Sequence, residues 1–126
     1  MFHKPFSGYS IDDPATAREF YTDVLGLDVR ELESGLLQLA LDGDTVVLLY
    51  AKDDHQPATF TVLNLPVDDV HAAVSQLAEK GVEFLQYDEF PQDEFGVMTG
   101  NGPDIAWFKD PAGNVLSVIK HQEDNF

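Results

Sequence analysis

Apolar residues recur along the chain with two periods, and the change from one period to the other happens twice in the same order. Phe6-Ser7-Gly8-Tyr9-Ser10-Ile11 alternates as a half-buried strand does. Asp12-Asp13-Pro14 then starts a helix: Asp13 can accept hydrogen bonds from the free amides of the first turn, and Pro14 gives up no bond that the helix would use. Ala17, Phe20, Tyr21 and Leu25 form an apolar stripe over about three turns, and Gly26 suits the left-handed residue that ends a helix. Strand-like runs follow at 27–31, 36–41 and 45–50, separated by Glu33-Ser34-Gly35 and Asp42-Gly43-Asp44. Asp-Gly between apolar runs is a strong hairpin signal.

The order then restarts. Residues 59–66 read as a strand, Val67-Asp68-Asp69 repeats the acidic cap, and Val70, Ala73, Val74 and Leu77 carry a helical stripe ending at Lys80-Gly81. Further strands are predicted at 82–87, 94–99, 105–109 and 115–120. An offset of 56 residues lays Asp12-Asp13 on Asp68-Asp69 and Phe6 on Val62, so an internal duplication is the simplest account. The expected class is α+β: one domain of two βαβββ modules, 1–52 and 58–126, joined by an exposed linker that ends at Pro57. A helix covers one face of each curved mixed sheet, and pairing the two sheets would bury the other faces around a shared cleft. Because strands alternate faces, Ile11 and Leu65 should back onto the helices while Phe6, Gly8, Ser10, Val62 and Asn64 face the cleft.

At 126 residues the length suits a single domain, and no stretch approaches the roughly eighteen apolar residues of a membrane span. The start, Met1-Phe2-His3-Lys4-Pro5-Phe6, has no signal-peptide pattern, so a cytoplasmic location is expected. The absence of cysteine excludes disulfides and thiolate chemistry. A formal charge of −16 repels phosphate, which argues against nucleic acid and anionic membranes as partners. Solubility or a salt-rich habitat accounts for such acidity; preference for a cationic ligand is the sharper alternative.

Two segments resemble the glyoxalase/bleomycin-resistance (vicinal oxygen chelate) superfamily. One is Asp13-Pro14-Ala15-Thr16-Ala17-Arg18-Glu19-Phe20-Tyr21-Thr22-Asp23-Val24-Leu25-Gly26-Leu27, in which an aromatic pair precedes a Leu-Gly-Leu end. The other is Ala106-Trp107-Phe108-Lys109-Asp110-Pro111-Ala112-Gly113-Asn114, which contains an Asp-Pro-x-Gly-Asn turn. The resemblance implies paired βαβββ modules and, in the family's enzymes, a divalent ion held by inward residues of the first and last strands of each module. Those places fall on Phe6, Leu48, Val62 and Ser117, none of which offers the nitrogen or carboxylate donor such an ion needs. No metal, cofactor or catalytic residue is therefore expected. The resemblance also implies a homodimer.

The four histidines, His3, His55, His71 and His121, are scattered, and His71 at a helix start reads as solvent-exposed. His3 lies near enough to the first strand to be weighed as an unusual ligand, but terminal residues are often mobile. Asp88, Glu89, Asp93 and Glu94 surround Phe90-Pro91-Gln92 in a loop. The ordinary reading is a solvated loop. The functional one is a gate whose aromatics Tyr87, Phe90 and Phe95 touch a flat ligand while the acids attract a cation. No serine sits in a nucleophile turn. Tyr50 and Trp107 are strand aromatics whose polar edges need partners when buried. Asn64, on an inward face, must either be satisfied by a neighbour such as Ser10 or Ser117, or orient a ligand.

The reading these features favour is a metal-independent protein that binds a cationic or aromatic small molecule and sequesters a toxic compound. Its pocket comprises Phe6, Gly8, Ser10, Leu48, Tyr50, Val62, Asn64, Tyr87, Phe90, Phe95, Trp107 and Ser117. The alternative is a glyoxalase-like lyase, isomerase or dioxygenase with displaced metal ligands.

Overall fold

A computed structural model of the chain describes residues 1–123, and its contacts divide the chain between Pro57 and Ala58 into two units. Residues 124–126, at the end of the predicted second module, lie outside the described residues.

The first unit opens with β1 (Ser7–Ile11) and α1 (Pro14–Glu19). The predicted cap forms: Asp13 Oδ1 accepts from the amides of Ala15 at 3.0 Å and Thr16 at 3.4 Å. The helix does not run α-helical to Gly26 as the stripe suggests. It widens into a π-helical turn over Phe20–Val24, with Leu25 N donating to Phe20 O at 3.1 Å. The wider turn accommodates the rings of Phe20 and Tyr21, which meet edge to face at 5.4 Å. Tyr21 is fully buried, with its hydroxyl 2.7 Å from that of Tyr9 on β1. Then follow β2 (Asp28–Glu31), β3 (Leu37–Ala40) and β4 (Val46–Ala51). The Asp42-Gly43-Asp44 turn joins the last two, with Gly43 (φ 70°) and Asp44 (φ 61°) both left-handed as the hairpin signal requires. The sheet order is β1-β4-β3-β2, with β1 parallel to β4. Tyr9, Ile11, Leu37, Leu39, Val47 and Leu49, together with Ala17 and Tyr21, are this unit's buried core.

The second unit contains β5 (Thr61–Val67), α2 (Val70–Glu79), β6 (Ile105–Lys109) and β7 (Val115–Lys120), with sheet order β5-β7-β6. Asp69 caps α2 through Ala72 N at 3.1 Å, and Val70 and Val74 are its buried positions. Two predicted strands are corrected. Residues 82–87 pair with β6 in strand fashion only at the bridge Phe84 to Phe108, and 94–99 contribute only Met98, bridged to Gln92 and Ile105. Side chains take the hydrogen bonds a strand partner would have made. Gln92 accepts from Tyr87 N at 2.7 Å and donates to Leu85 O and Gly96 O, both at 2.8 Å. Asp93 Oδ1 accepts from Phe95 N at 2.9 Å and Val97 N at 3.0 Å. With those backbone groups satisfied locally, the segment bends instead of extending a ladder.

The Asp-Pro-x-Gly-Asn turn is built around Asp110, which is buried and accepts from the amides of Ala112 at 3.0 Å and Asn114 at 2.8 Å. Among the described residues, no helix is long and apolar enough to cross a membrane.

Candidate functional site

On β1 and β4 the predicted pocket residues fall on the more open sheet face, whereas in the second unit Trp107 and Ser117 are buried and only Asn64 is exposed. On β1, Tyr9 and Ile11 are buried while Gly8 is exposed and Ser10 half-exposed; Phe6, just before the strand, is exposed. Gly8 is register partner to Leu48 and Ser10 to Tyr50 on β4. Glycine is required at the first of these pairs, because a Cβ on Gly8 would stand 2.8 Å from the Leu48 carbonyl oxygen. Ser10 has a partner the sequence did not reveal: its hydroxyl lies 2.6 Å from His55 Nδ1. His55 is half-buried, so the linker expected to be exposed is partly folded back, with Lys52 N also donating to Ile11 O at 3.0 Å.

In the second unit, Trp107, Ser117 and Asn64 are successive register partners across β6, β7 and β5. Ser117 is fully buried and its hydroxyl donates to Asn64 Oδ1 at 2.6 Å, which selects Ser117 over Ser10 as the neighbour that satisfies this amide. Asn64 is itself exposed, not buried as its position on an inward face suggested. Val62 lies where the β5 register shifts, between Thr61 and Leu63, and is half-buried.

Three aromatic residues converge on this sheet. The Phe90 ring stacks on Trp107 at 5.3 Å and 28°, and Tyr87 meets Trp107 edge-on at 5.5 Å and 85°. Tyr87 and Phe90 are 5.5 Å apart, closing the triangle. Offset and edge-to-face contacts at such separations are the favourable aromatic geometries. Phe90 is 42% exposed even so, because it sits on the outside of the stack. Burial, and then the negative charge of Glu89, push the Tyr87 phenol above its ordinary value, so it stays neutral and able to donate.

Phe95, predicted as the third aromatic of the gate, does not join this group. Its ring meets His71 at 6.2 Å, where the two residues line an open groove of about 510 Å³ along α2 with Val74, Ser75, Ala78 and Glu79. His71 is exposed, as expected, and its Nε2 also lies 2.7 Å from Asp93 Oδ2. Burial raises the Asp93 carboxyl, but hydrogen bonds from His71, Val97 and Phe95 outweigh it and hold the group below its ordinary value. Of the four loop acids, then, Asp93 is a staple within the loop. The sequence carried no signal for Gln92, whose amide reaches three backbone groups from an otherwise unremarked position.

The residue types at Phe6, Leu48, Val62 and Ser117 do not fit a divalent ion. Among the described residues, no group of three or more His, Asp or Glu is placed to hold one.

A family model described as Glyoxalase/Bleomycin resistance protein/Dioxygenase superfamily matches residues 8–118. Curated proteins give no significant match. Among solved structures, TnmS3, an antibiotic binding protein from Streptomyces sp. CB03234, is 27% identical, with 97% of this chain and 99% of that one covered and a TM-score of 0.67. A member of the same superfamily from Sphaerobacter thermophilus is 22% identical over 95% and 98% of the two chains, TM-score 0.69. Lactoylglutathione lyase from Agrobacterium tumefaciens is 20% identical over 100% and 99%, TM-score 0.67. The last two likenesses show the fold alone.

Proposed function

The chain belongs to the Glyoxalase/Bleomycin resistance protein/Dioxygenase superfamily, and on that footing we propose that it is a metal-independent binding protein for flat aromatic small molecules, with Trp107 as the ring platform. The observation that carries this reading is the stack of Phe90 on Trp107, with Tyr87 edge-on beside it. Phe90 sits on a loop held by side-chain hydrogen bonds and is partly exposed, so a ligand ring can take its place on the indole at little cost in buried area. The antibiotic-binding relative at 27% identity supports a small-molecule ligand. The formal charge of −16 favours a cationic or neutral ligand over an anionic one. Binding of this kind needs no catalytic group, which agrees with the missing donors at the four places where family enzymes hold an ion.

Trp107 is the only tryptophan, so its fluorescence reports on the site directly. Titration with 9-aminoacridine, a flat cationic tricycle, should quench it saturably. Trp107→Phe, followed through the dye's own fluorescence, should weaken binding about tenfold, the scale set by losing part of an aromatic contact. No saturable quenching, or an unchanged affinity in Trp107→Phe, rejects the reading.

A further inference from the structure

The row of residues that carries Trp107 also dictates what a ligand must present at its other end. This inference rests on the binding reading above and deepens it. Ser117 is fully buried, so its hydroxyl has no water to donate to, and a buried donor left unpaired is costly. Its side-chain hydrogen bond goes to Asn64 Oδ1 at 2.6 Å. That bond engages the acceptor end of a planar amide and fixes which way it points. The NH2 group is at the opposite corner of the amide and carries both of its donors. Because Asn64 is exposed, that NH2 opens outward on the same sheet face as the indole.

The spacing follows from the strand order β5-β7-β6, which places Asn64 two strands from Trp107 with Ser117 between them. Neighbouring strands lie about 4.8 Å apart, so the two positions are separated by roughly 9.6 Å. That is the length of a fused two- or three-ring compound. The strand between them carries only the small side chain of Ser117 at this level, and because Ser117 and Trp107 are both buried, the ligand enters as Phe90 leaves the indole. We propose that Asn64 is the polar anchor of the site, donating from Nδ2 to a carbonyl oxygen at one end of a polycyclic aromatic ligand whose other end lies on Trp107. Ser117 is a positioning residue: it holds the amide in the donating orientation and does not touch the ligand. The ligand class is thus the polycyclic aromatic ketones, lactams and related carbonyl compounds.

The test compares 2-acetylnaphthalene with 2-ethylnaphthalene, which share a fused two-ring frame and differ by a carbonyl oxygen at one end of it, using equilibrium dialysis. Wild-type protein should prefer 2-acetylnaphthalene by about fivefold, the scale of one hydrogen bond in a partly exposed site. Asn64→Leu should bind both compounds with no preference. Ser117→Ala frees the amide to turn over and should cut the preference at least by half while leaving 2-ethylnaphthalene unchanged, which a merely structural role for Ser117 would not do. Trp107→Phe should weaken both compounds equally and keep the preference. Circular dichroism and thermal unfolding confirm that each variant is folded, and Asn64→Leu, at an exposed position, serves if Ser117→Ala fails. Equal binding of the two compounds by wild type, or a preference that survives in Asn64→Leu, overturns the anchor and leaves the aromatic platform standing. Failure of wild type to bind either compound overturns the platform as well.

Discussion

Gly8 and Asn64 lie 56 residues apart and occupy the same place in the two modules, on the strand that pairs in parallel with each module's last. At Gly8 the partner strand comes so near that a single added carbon would meet the Leu48 carbonyl oxygen at 2.8 Å. At Asn64 there is room for an amide, and the opposing residue is a serine that binds it. A second difference accompanies the first. β2 pairs with β3 over four residue positions, whereas the corresponding segment 82–87 makes one bridge and bends away under the hydrogen bonds of Gln92. The bend is what brings Tyr87 and Phe90 onto Trp107. The two units share the order strand, helix, strands, and the aromatic triangle on Trp107 arises where the second departs from the first.

The sharpest way to break this comparison is to exchange the paired residues. Gly8→Asn should cost about 2–3 kcal/mol, the scale of forcing atoms into a space that has none, with the backbone of β4 as the obstacle. Asn64→Gly, made together with Ser117→Ala so that no buried hydroxyl is left unpaired, should cost about 1 kcal/mol, from backbone entropy in a strand and the loss of one hydrogen bond. Urea denaturation of the two variants measures both. Similar losses at the two positions would mean that the modules do not differ in the way the register describes.

The second way is to remove the side chain that substitutes for a strand. Gln92→Ala deletes the bonds to Tyr87 N, Leu85 O and Gly96 O. Two or three such bonds at half-exposed positions should be worth about 1–3 kcal/mol together. The more telling readout is Trp107: with the loop loosened, Phe90 leaves the indole and tryptophan emission moves to longer wavelength. An unchanged spectrum would show that Phe90 is held by its stacking alone and that Gln92 serves only the backbone.

The scaffold was legible in the sequence because it follows from local periodicity and end signals. Asp13, Gly26, Asp69 and Gly81 each stand where a helix begins or stops, and the Asp-Gly hairpin forms with both central residues left-handed. Strand alternation was enough to sort Ile11 from Ser10 by face, and Leu65, expected to back onto the second helix, is half-buried beside the exposed Asn64. What was not legible is every feature made by a side chain reaching backbone or another side chain across sequence. The apolar run at 82–87 reads as a strand, and only the position of Gln92 in space makes it a bend. The π-helical turn at Phe20–Val24 is invisible to a 3.6-residue stripe, since Phe20 and Tyr21 satisfy the stripe equally well in either helix. His55 sits in a polar linker, and nothing in its neighbours announces Ser10 as its partner. Phe95 was grouped with Tyr87 and Phe90 by nearness along the chain, whereas the hydrogen bonds of Asp93 turn it toward α2.

The smallest effect concerns that last point, and its sign follows from Asp93. Its folded carboxyl titrates below the ordinary value of 3.8, because the bonds from His71, Val97 and Phe95 outweigh the opposing effect of burial. A depressed carboxyl stabilises fully above the unfolded value, and that contribution is lost as pH falls through the folded value. The side chain is 39% exposed, so solvent screens the pairing with His71 and the effect stays small. Asp93→Asn keeps an oxygen able to accept from the two loop amides and removes the charge. The variant should therefore be slightly less stable than wild type at pH 6, and the gap should narrow once pH drops below about 3.8. Asp13 also titrates low, through its bonds to Thr16, but it is common to both proteins and cancels in the difference. Thermal unfolding of the pair from pH 6 to pH 2.5 gives the curve. A gap that persists unchanged at the acid end would mean that the Asp93 charge does not hold the loop, and that the amide bonds alone set Phe95 apart from the aromatic triangle.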